Sequence, residues 1–136
     1  MLKTQLLYRP VGLKEMELIA ESGFKKFPPR LMWQPIFYPV LNEQYASQIA
    51  LDWNTNDSFS GFCGIVTAFS VNKDFLKKYE VQNVGGAIHN ELWIPASELD
   101  VFNENIIGNI EIVNAYFGKG YTEPLHEELN KKLKVF

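Results

Sequence analysis

The sequence predicts an α+β fold: a mainly antiparallel mixed sheet with short flanking helices. Two observations predict it. Segments of alternating apolar and polar residues, the mark of a strand, are interspersed with segments whose apolar residues recur at helical spacing. No repeat, low-complexity block or linker divides the 136 residues, a length that suits one domain with its own core. The expected organisation is a single globular α+β domain over residues 1–120, then a charged C-terminal helix or tail over residues 121–136.

Residues 5–11 read as a first strand, stopped by Pro10. A helix over residues 12–22 follows, because Leu13, Met16, Ile19 and Ala20 fall at helical spacing and Gly23 ends it. Residues 24–35 form a loop with three prolines that also carries Arg30, Met32 and Trp33, a large amount of side chain for a connector. Residues 36–40 are a short strand that Pro39 confines to an edge or a strand end.

Asn42 is the expected N-cap of a helix from Glu43 to about Trp53. Its stripe Tyr45, Ile49 and Trp53 is expected in the core, while Ala46 and Ala50 permit close packing on a sheet. A polar turn region covers residues 54–61. Residues 62–71 form a strand with Ile65, Ala68 and Phe69 as core, and Asn72 caps a short helix through Tyr79. A brief strand at 81–84 leads through Gly85-Gly86 to a strand at 88–94. Pro95 opens a short helix with Leu99 and Phe102 facing inward. Gly108-Asn109 turns into a strand at 110–113, and a last helix follows Pro124.

Bulk properties exclude several classes. A net charge of −3 and a pI of about 5.4 argue against a nucleic-acid binder with a broad basic surface. The single cysteine, Cys63, cannot form a disulfide within the chain, and its apolar surroundings read as a buried, inert thiol. His89 and His126 are far apart without paired spacing, so no metal site is expected. The start of the chain lacks the apolar core of a signal peptide and no apolar run is long enough to span a bilayer. A cytoplasmic location without membrane association is therefore the expectation. Aromatic residues, 14% of the chain, are numerous enough to line a pocket as well as fill a core.

The densest chemical pattern is Gly85-Gly86-Ala87-Ile88-His89-Asn90-Glu91-Leu92-Trp93-Ile94-Pro95. Side chains two apart on a strand share a face. An imidazole and a carboxylate then stand side by side next to a glycine pair that lets backbone approach a ligand closely. The same spacing also describes a solvated strand face after a turn.

Several segments resemble a family of small bacterial proteins that carry an ADP-ribosylation label. They are Leu7-Tyr8-Arg9-Pro10-Val11-Gly12, Phe27-Pro28-Pro29-Arg30, Gln34-Pro35-Ile36-Phe37-Tyr38-Pro39-Val40-Leu41-Asn42, Tyr79-Glu80-Val81-Gln82 and Glu91-Leu92-Trp93-Ile94-Pro95. The layout also resembles the ADP-ribosyltransferase fold. That family places an arginine or histidine on its first strand to hold NAD, a strand feeding a helix behind the nicotinamide pocket, and a late strand bearing a glutamate. Arg9, Tyr38 with the helix after Asn42, and Glu91 with His89 two residues before it match those positions. The Ser-Thr-Ser-like strand of the arginine-type subgroup has only Thr67-Ala68-Phe69-Ser70 as its counterpart.

What the resemblance implies is an ADP-ribosyltransferase or NAD glycohydrolase, with NAD as substrate and a protein as an acceptor of ADP-ribose. Glu91 would hold the ribose hydroxyls and stabilise positive charge in an oxocarbenium-like transition state. His89 would orient a hydroxyl or carry a proton. Arg9 and Arg30 would take phosphate through their planar forks, and Tyr38 would stack on a ligand ring. Each has a plainer reading: an exposed strand glutamate, a turn histidine, arginines in surface ion pairs, a half-buried wall tyrosine. The alternative function is a catalytically degenerate domain of the same fold that binds a protein or a nucleotide, with the aromatic loop at residues 27–37 as its contact surface. Convergence of Arg9, Tyr38 and Glu91 in one pocket would favour the enzyme. A filled pocket with Trp33 and Phe37 exposed outside it would favour the module.

Overall fold

The apolar run at residues 63–69 is buried at every position, which places its strand at the centre of a sheet covered on both faces. A computed structural model describes residues 2–136 and gives the order β1 (Thr4–Val11), α1 (Leu13–Glu21), β2 (Ile36–Phe37), α2 (Glu43–Asp52), β3 (Cys63–Asn72), α3 (Lys73–Leu76), β4 (Val81–Asn83), β5 (Asn90–Leu92), β6 (Ile94–Pro95), α4 (Leu99–Glu104), β7 (Ile106–Phe117) and α5 (Glu127–Leu133). Short 3₁₀ turns at Asn54–Asn56 and Ser58–Ser60 connect α2 to β3. The chain is an α+β protein with antiparallel sheets and short helices.

Strand β3 pairs antiparallel with β1 on one side and β7 on the other. Two smaller ladders join β2 to β6 and β4 to β5. The chain at Val40 stitches β1 to β5: it exchanges two backbone hydrogen bonds with Tyr8, while Leu41 and Pro39 bond Asn90 and Leu92 on its other side. The sheet is thus continuous at Val40 and separates beyond it, where β1 runs on from Arg9 to Val11. Pro10 has no N–H to offer, so it suits an edge with no partner.

Alternate residues of the central strands feed two layers. On one face Leu7, Val11, Ile65 and Phe69 pack with Met16 and Ile19 of α1 and with Phe27, Phe37 and Phe102. Phe27 meets Phe37 and Phe69 with ring centroids 5.0 and 4.8 Å apart, in the tilted and edge-on arrangements aromatic quadrupoles favour. On the other face Val40 and Val66 lie under Ala46 and Ala50 of α2. Gly64 makes that approach feasible: a Cβ there would stand 2.4 Å from the Ala50 carbonyl oxygen. Leu129 and Leu133 of α5 enter the same core as α1.

Four sequence expectations are corrected. The stripe Tyr45, Ile49 and Trp53 is not fully buried core: Ala46 and Ala50 make the close contact with the sheet, Tyr45 packs half-buried at the margin of that layer, and Trp53 is mostly exposed. Pro39 splits the strand foreseen at 36–40 into β2 and the single residue Val40, which bridges to Tyr8 and to Glu91. The strand foreseen at 88–94 begins only at Asn90, because residues 85–89 form the turn that closes β4 on β5, and it pauses at Trp93. Gly108-Asn109 is not a turn but lies inside the long strand β7. Ala68 and Ser70 of β3 face Glu111 and Ile107 of β7, so β7 bulges there, with Gly108 at φ +80°.

No helix among the described residues is long and apolar enough to cross a membrane. Among them no group of three or more His, Cys, Asp and Glu is placed to hold a metal ion. Cys63 is fully buried, and burial pushes its thiol up to about 12.

Candidate functional site

Where the sheet separates, a pocket of about 1000 Å³ opens between the end of β1, the start of α1, the loop at residues 28–34, the end of α2 and the segment carrying Glu91 and Trp93. Arg9, Arg30, Tyr38 and Glu91 all line it. His89 does not.

Glu91 is 9% exposed yet, among the described residues, has no cation within ion-pairing distance; it is held by two neutral donors. The Tyr45 hydroxyl donates to its Oε2 at 2.9 Å, and the Trp93 indole N–H donates to its Oε1 at 2.8 Å. Tyr45 stands in the first turn of α2, whose entry is fixed by Asn42: its side chain accepts from the Tyr45 amide at 2.7 Å and donates to the Ile88 carbonyl at 2.7 Å. Burial, reinforced by the hydrogen bond to Glu91, pushes the Tyr45 hydroxyl up to about 12. Two fixed donors point the carboxylate in one direction and leave its remaining lone pairs for a ligand.

Arg9 is 8% exposed and almost fully engaged. Its Nε and Nη2 donate to the two carboxylate oxygens of Glu15 at 2.8 and 3.0 Å, and its Nη1 reaches the Tyr38 carbonyl at 3.4 Å. Its guanidinium lies 4.6 Å from the centroid of the buried Phe37 ring. Arg30 sits alongside, 5.9 Å from the same ring, with only its Nε committed, to the Ile36 carbonyl at 3.2 Å. Its Nη1 is 4.0 Å from Glu15. Burial, with Arg9 beside it, brings the Arg30 guanidinium down to about 10, although Glu15 acts in the opposite direction. Two cations therefore share one carboxylate, and the end of the Arg30 fork is free of hydrogen bonds. An anion would complete this cluster.

The walls are aromatic. Tyr38, Trp33, Trp53, Phe59 and Trp93 all line the pocket and are partly or largely exposed, while Phe37 is fully buried beneath the arginines. Trp33, although 71% exposed, belongs to the pocket lining, whereas its neighbour Met32 projects outward at 96% exposure.

His89 occupies the turn before β5. Its Nδ1 accepts from the Gly86 amide at 2.9 Å and its Nε2 pairs with the Gln48 side-chain oxygen at 3.0 Å, so the ring carries its proton on Nε2. It also packs against Tyr45 at a centroid distance of 4.7 Å. Glu91 and His89 consequently do not share a strand face: His89 braces the turn and the helix, and Glu91 faces the pocket.

Sequence reasoning missed Glu15, Tyr45, Trp93 and Asn54. Trp93 stands two residues after Glu91, the same-face spacing that drew attention to His89, and could have been found that way. Glu15 lies one turn into α1, immediately after the strand that carries Arg9. Asn54 is 7% exposed within the pocket lining, and its Oδ1 is buried with no hydrogen-bond partner. Such an acceptor ordinarily costs about 1–3 kcal/mol.

No family model, curated protein or solved structure matches this chain.

Proposed function

We propose that the pocket binds NAD or a related nucleotide and cleaves the nicotinamide–ribose bond, on a compact fold resembling the ADP-ribosyltransferases. The observation that carries this reading is the convergence of Glu91, Arg9, Arg30 and Tyr38 in one open, aromatic-walled pocket. Breaking the bond from the ribosyl carbon to the pyridine nitrogen sends the electron pair to nicotinamide and leaves positive charge on the sugar. Glu91 is the group to stabilise that charge. It is shielded from water, has no cation beside it among the described residues, and is aimed by Tyr45 and Trp93. A water molecule or an acceptor side chain on a protein then attacks the ribosyl carbon, giving hydrolysis or ADP-ribose transfer. Arg30 supplies open donors for the diphosphate, and Arg9 adds charge from behind its bridge to Glu15. Tyr38 and the tryptophans offer ring faces for the base or the pyridine.

One observation favours a second reading, a catalytically degenerate domain that binds a protein or a nucleotide. His89, the expected partner of Glu91, is used in the turn.

Proton NMR of NAD mixed with the protein separates the two. The enzyme reading expects saturation transfer to NAD and free nicotinamide from the wild type, with nicotinamide release reduced about 100-fold or more in Glu91→Gln. Binding without release, in the presence and absence of candidate protein acceptors, would favour the module. Neither binding nor release would remove the nucleotide reading.

A further inference from the structure

We infer that Glu15 sets the charge this pocket accepts: with Arg9 and Arg30 it makes a site for one negative charge, which takes the internal phosphate of a diphosphate diester and disfavours a terminal phosphate carrying two. The inference rests on the nucleotide reading above and narrows its substrate class.

Three ionised side chains meet here and their charges do not cancel. Arg9 takes both oxygens of the Glu15 carboxylate, its Nε 2.8 Å from Oε2 and its Nη2 3.0 Å from Oε1. Arg30 approaches only one of them, its Nη1 4.0 Å from Oε1, and bonds the Ile36 carbonyl through Nε. One positive charge is left over. Water screens it only in part, because the side chains of Arg9, Glu15 and Arg30 are 10%, 21% and 11% exposed and the buried Phe37 ring lies beneath both guanidiniums. All three residues line the pocket, so a ligand in it meets the cluster. Glu15 stands in the first turn of α1, where the helix dipole favours its negative charge.

The other charged residues lining the pocket leave this sum unchanged. Lys14 is exposed, Asp57 accepts from Ser60, and Glu91 is held by Tyr45 and Trp93. Among the described residues none of the three is within ion-pairing distance of Arg9, Glu15 or Arg30. Each phosphate of a diphosphate diester carries one negative charge. Set on the open end of the Arg30 fork, such a phosphate leaves the cluster neutral. A terminal phosphate carries about −1.5 to −2 at neutral pH and gives up the second charge below a pKa of about 6. Its extra charge would come close to the Glu15 carboxylate and leave the cluster net negative where little water reaches it. Without Glu15 the same two arginines would suit a dianion.

The test is competition between ADP and its β-methyl ester in saturation-transfer NMR, with NAD as the reference ligand. The two nucleotides differ by one methyl group and one charge. The wild type at pH 8 is expected to bind the ester about tenfold more tightly than ADP. At pH 5 the terminal phosphate of ADP holds its second proton, and the two affinities should come within about twofold. Reading their ratio removes whatever the pH does to the protein for both ligands alike. Glu15→Gln, which keeps the shape and loses the charge, should abolish or reverse the preference at pH 8. Equal binding of ADP and the ester by the wild type at pH 8, with NAD still bound, would overturn the charge rule and leave the nucleotide reading in place. So would a preference that persists at pH 5, which would belong to the methyl group, or one that survives in Glu15→Gln. Should Glu15→Gln fail to fold, the wild-type comparison at the two pH values decides alone. Binding of none of NAD, ADP and the ester would overturn the nucleotide reading and the charge rule with it.

Discussion

Two tyrosine–glutamate pairs occur in this protein, and their surroundings differ. Tyr45 donates to Glu91, and Tyr79 donates to Glu98. Glu98 also receives the Lys78 ammonium at 3.3 Å, and that ammonium lies over the rings of Phe75 and Tyr79. The Tyr79 hydroxyl, with Lys78 in support, holds the Glu98 carboxyl below the usual carboxylate range. Its charge is balanced on the spot, on the protein surface. Glu91 has the same tyrosine contact and, among the described residues, no cation; a tryptophan N–H takes the place of the lysine, and Glu91 lines the pocket. The lesson is that a tyrosine–glutamate hydrogen bond by itself says little about chemistry. What separates a clamp from a candidate reacting group is whether the carboxylate's charge is already answered inside the protein.

The largest expected effect breaks this comparison outright. Glu91→Gln should lower nicotinamide release by about 10²-fold or more, with the thermal midpoint close to that of the wild type, whereas Glu98→Gln should leave release unchanged. Equal loss of release in both variants, read by NMR of free nicotinamide, would mean that the two carboxylates do the same structural work.

Next in size is the removal of the one carboxylate shared by two guanidiniums. Glu15→Ala leaves Arg9 and Arg30 facing each other without a counter-ion, and Arg9 is nearly buried. A loss of stability of about 3 kcal/mol is expected in chemical denaturation, partly restored by added phosphate or diphosphate, which would occupy the vacated position. If stability changed little and phosphate had no effect, the two arginines would not constitute an anion site. Arg9→Gln and Arg30→Gln should then separate: the first acting mostly on stability, because its nitrogens serve Glu15 and Tyr38, and the second mostly on KM.

A smaller effect sharpens the comparison at the tyrosines themselves. Tyr45→Phe removes one of the two donors that aim Glu91 and should reduce release about tenfold, worth about 1.4 kcal/mol. Tyr79→Phe should not change release and should cost only stability, since it loosens a surface clamp. Trp93→Phe, which removes the second donor, should resemble Tyr45→Phe in kinetics.

The sequence carries a good part of this site, and the parts it leaves out have a common cause. Order along the chain and residue type single out Arg9, Tyr38 and Glu91, a long proline-rich loop singles out Arg30, and the fold brings all four to one pocket. The groups that decide what each does are not singled out in this way. Glu15 turns Arg9 into a braced cation, Tyr45 and Trp93 aim Glu91, and Gln48 with the Gly86 amide keeps His89 in a turn. The helical spacing of Tyr45 predicts core, because large apolar or aromatic residues at that spacing usually are. Here two alanines and Gly64 bring the helix so close to the sheet that Tyr45 is left half-buried at the margin of that layer, where its hydroxyl reaches Glu91. The sequence predicts too short a β7 because a Gly-Asn pair suits a turn as well as a bulge, and only pairing with β3 chooses between them.

The smallest effect concerns pH. Tyr45 has a hydroxyl pushed up to about 12, first by burial and then by the neighbouring Glu91 carboxylate, against about 10 in the unfolded chain. Between those values the folded state keeps a proton that the unfolded state has lost. The stability associated with Tyr45 is therefore fully present below pH 10 and is lost as the pH rises towards 12. Tyr121, pushed up to about 12 by burial first and by nearby Cys63 and Glu123 after it, contributes in the same window and direction. Thermal midpoints measured from pH 8 to 12 should fall in the upper half of that range. The fall should be shallower in Tyr45→Phe, and shallower in Tyr79→Phe as well, since Tyr79 is raised too. Nicotinamide release, followed over the same range, would distinguish the pairs: the loss of the Tyr45 proton withdraws a donor from Glu91 and should depress release in the wild type and in Tyr79→Phe alike, but not further in Tyr45→Phe. If Tyr45→Phe kept the wild-type alkaline fall in release, Tyr45 would not be the group that aims Glu91, and the two tyrosine–glutamate pairs would differ only in exposure.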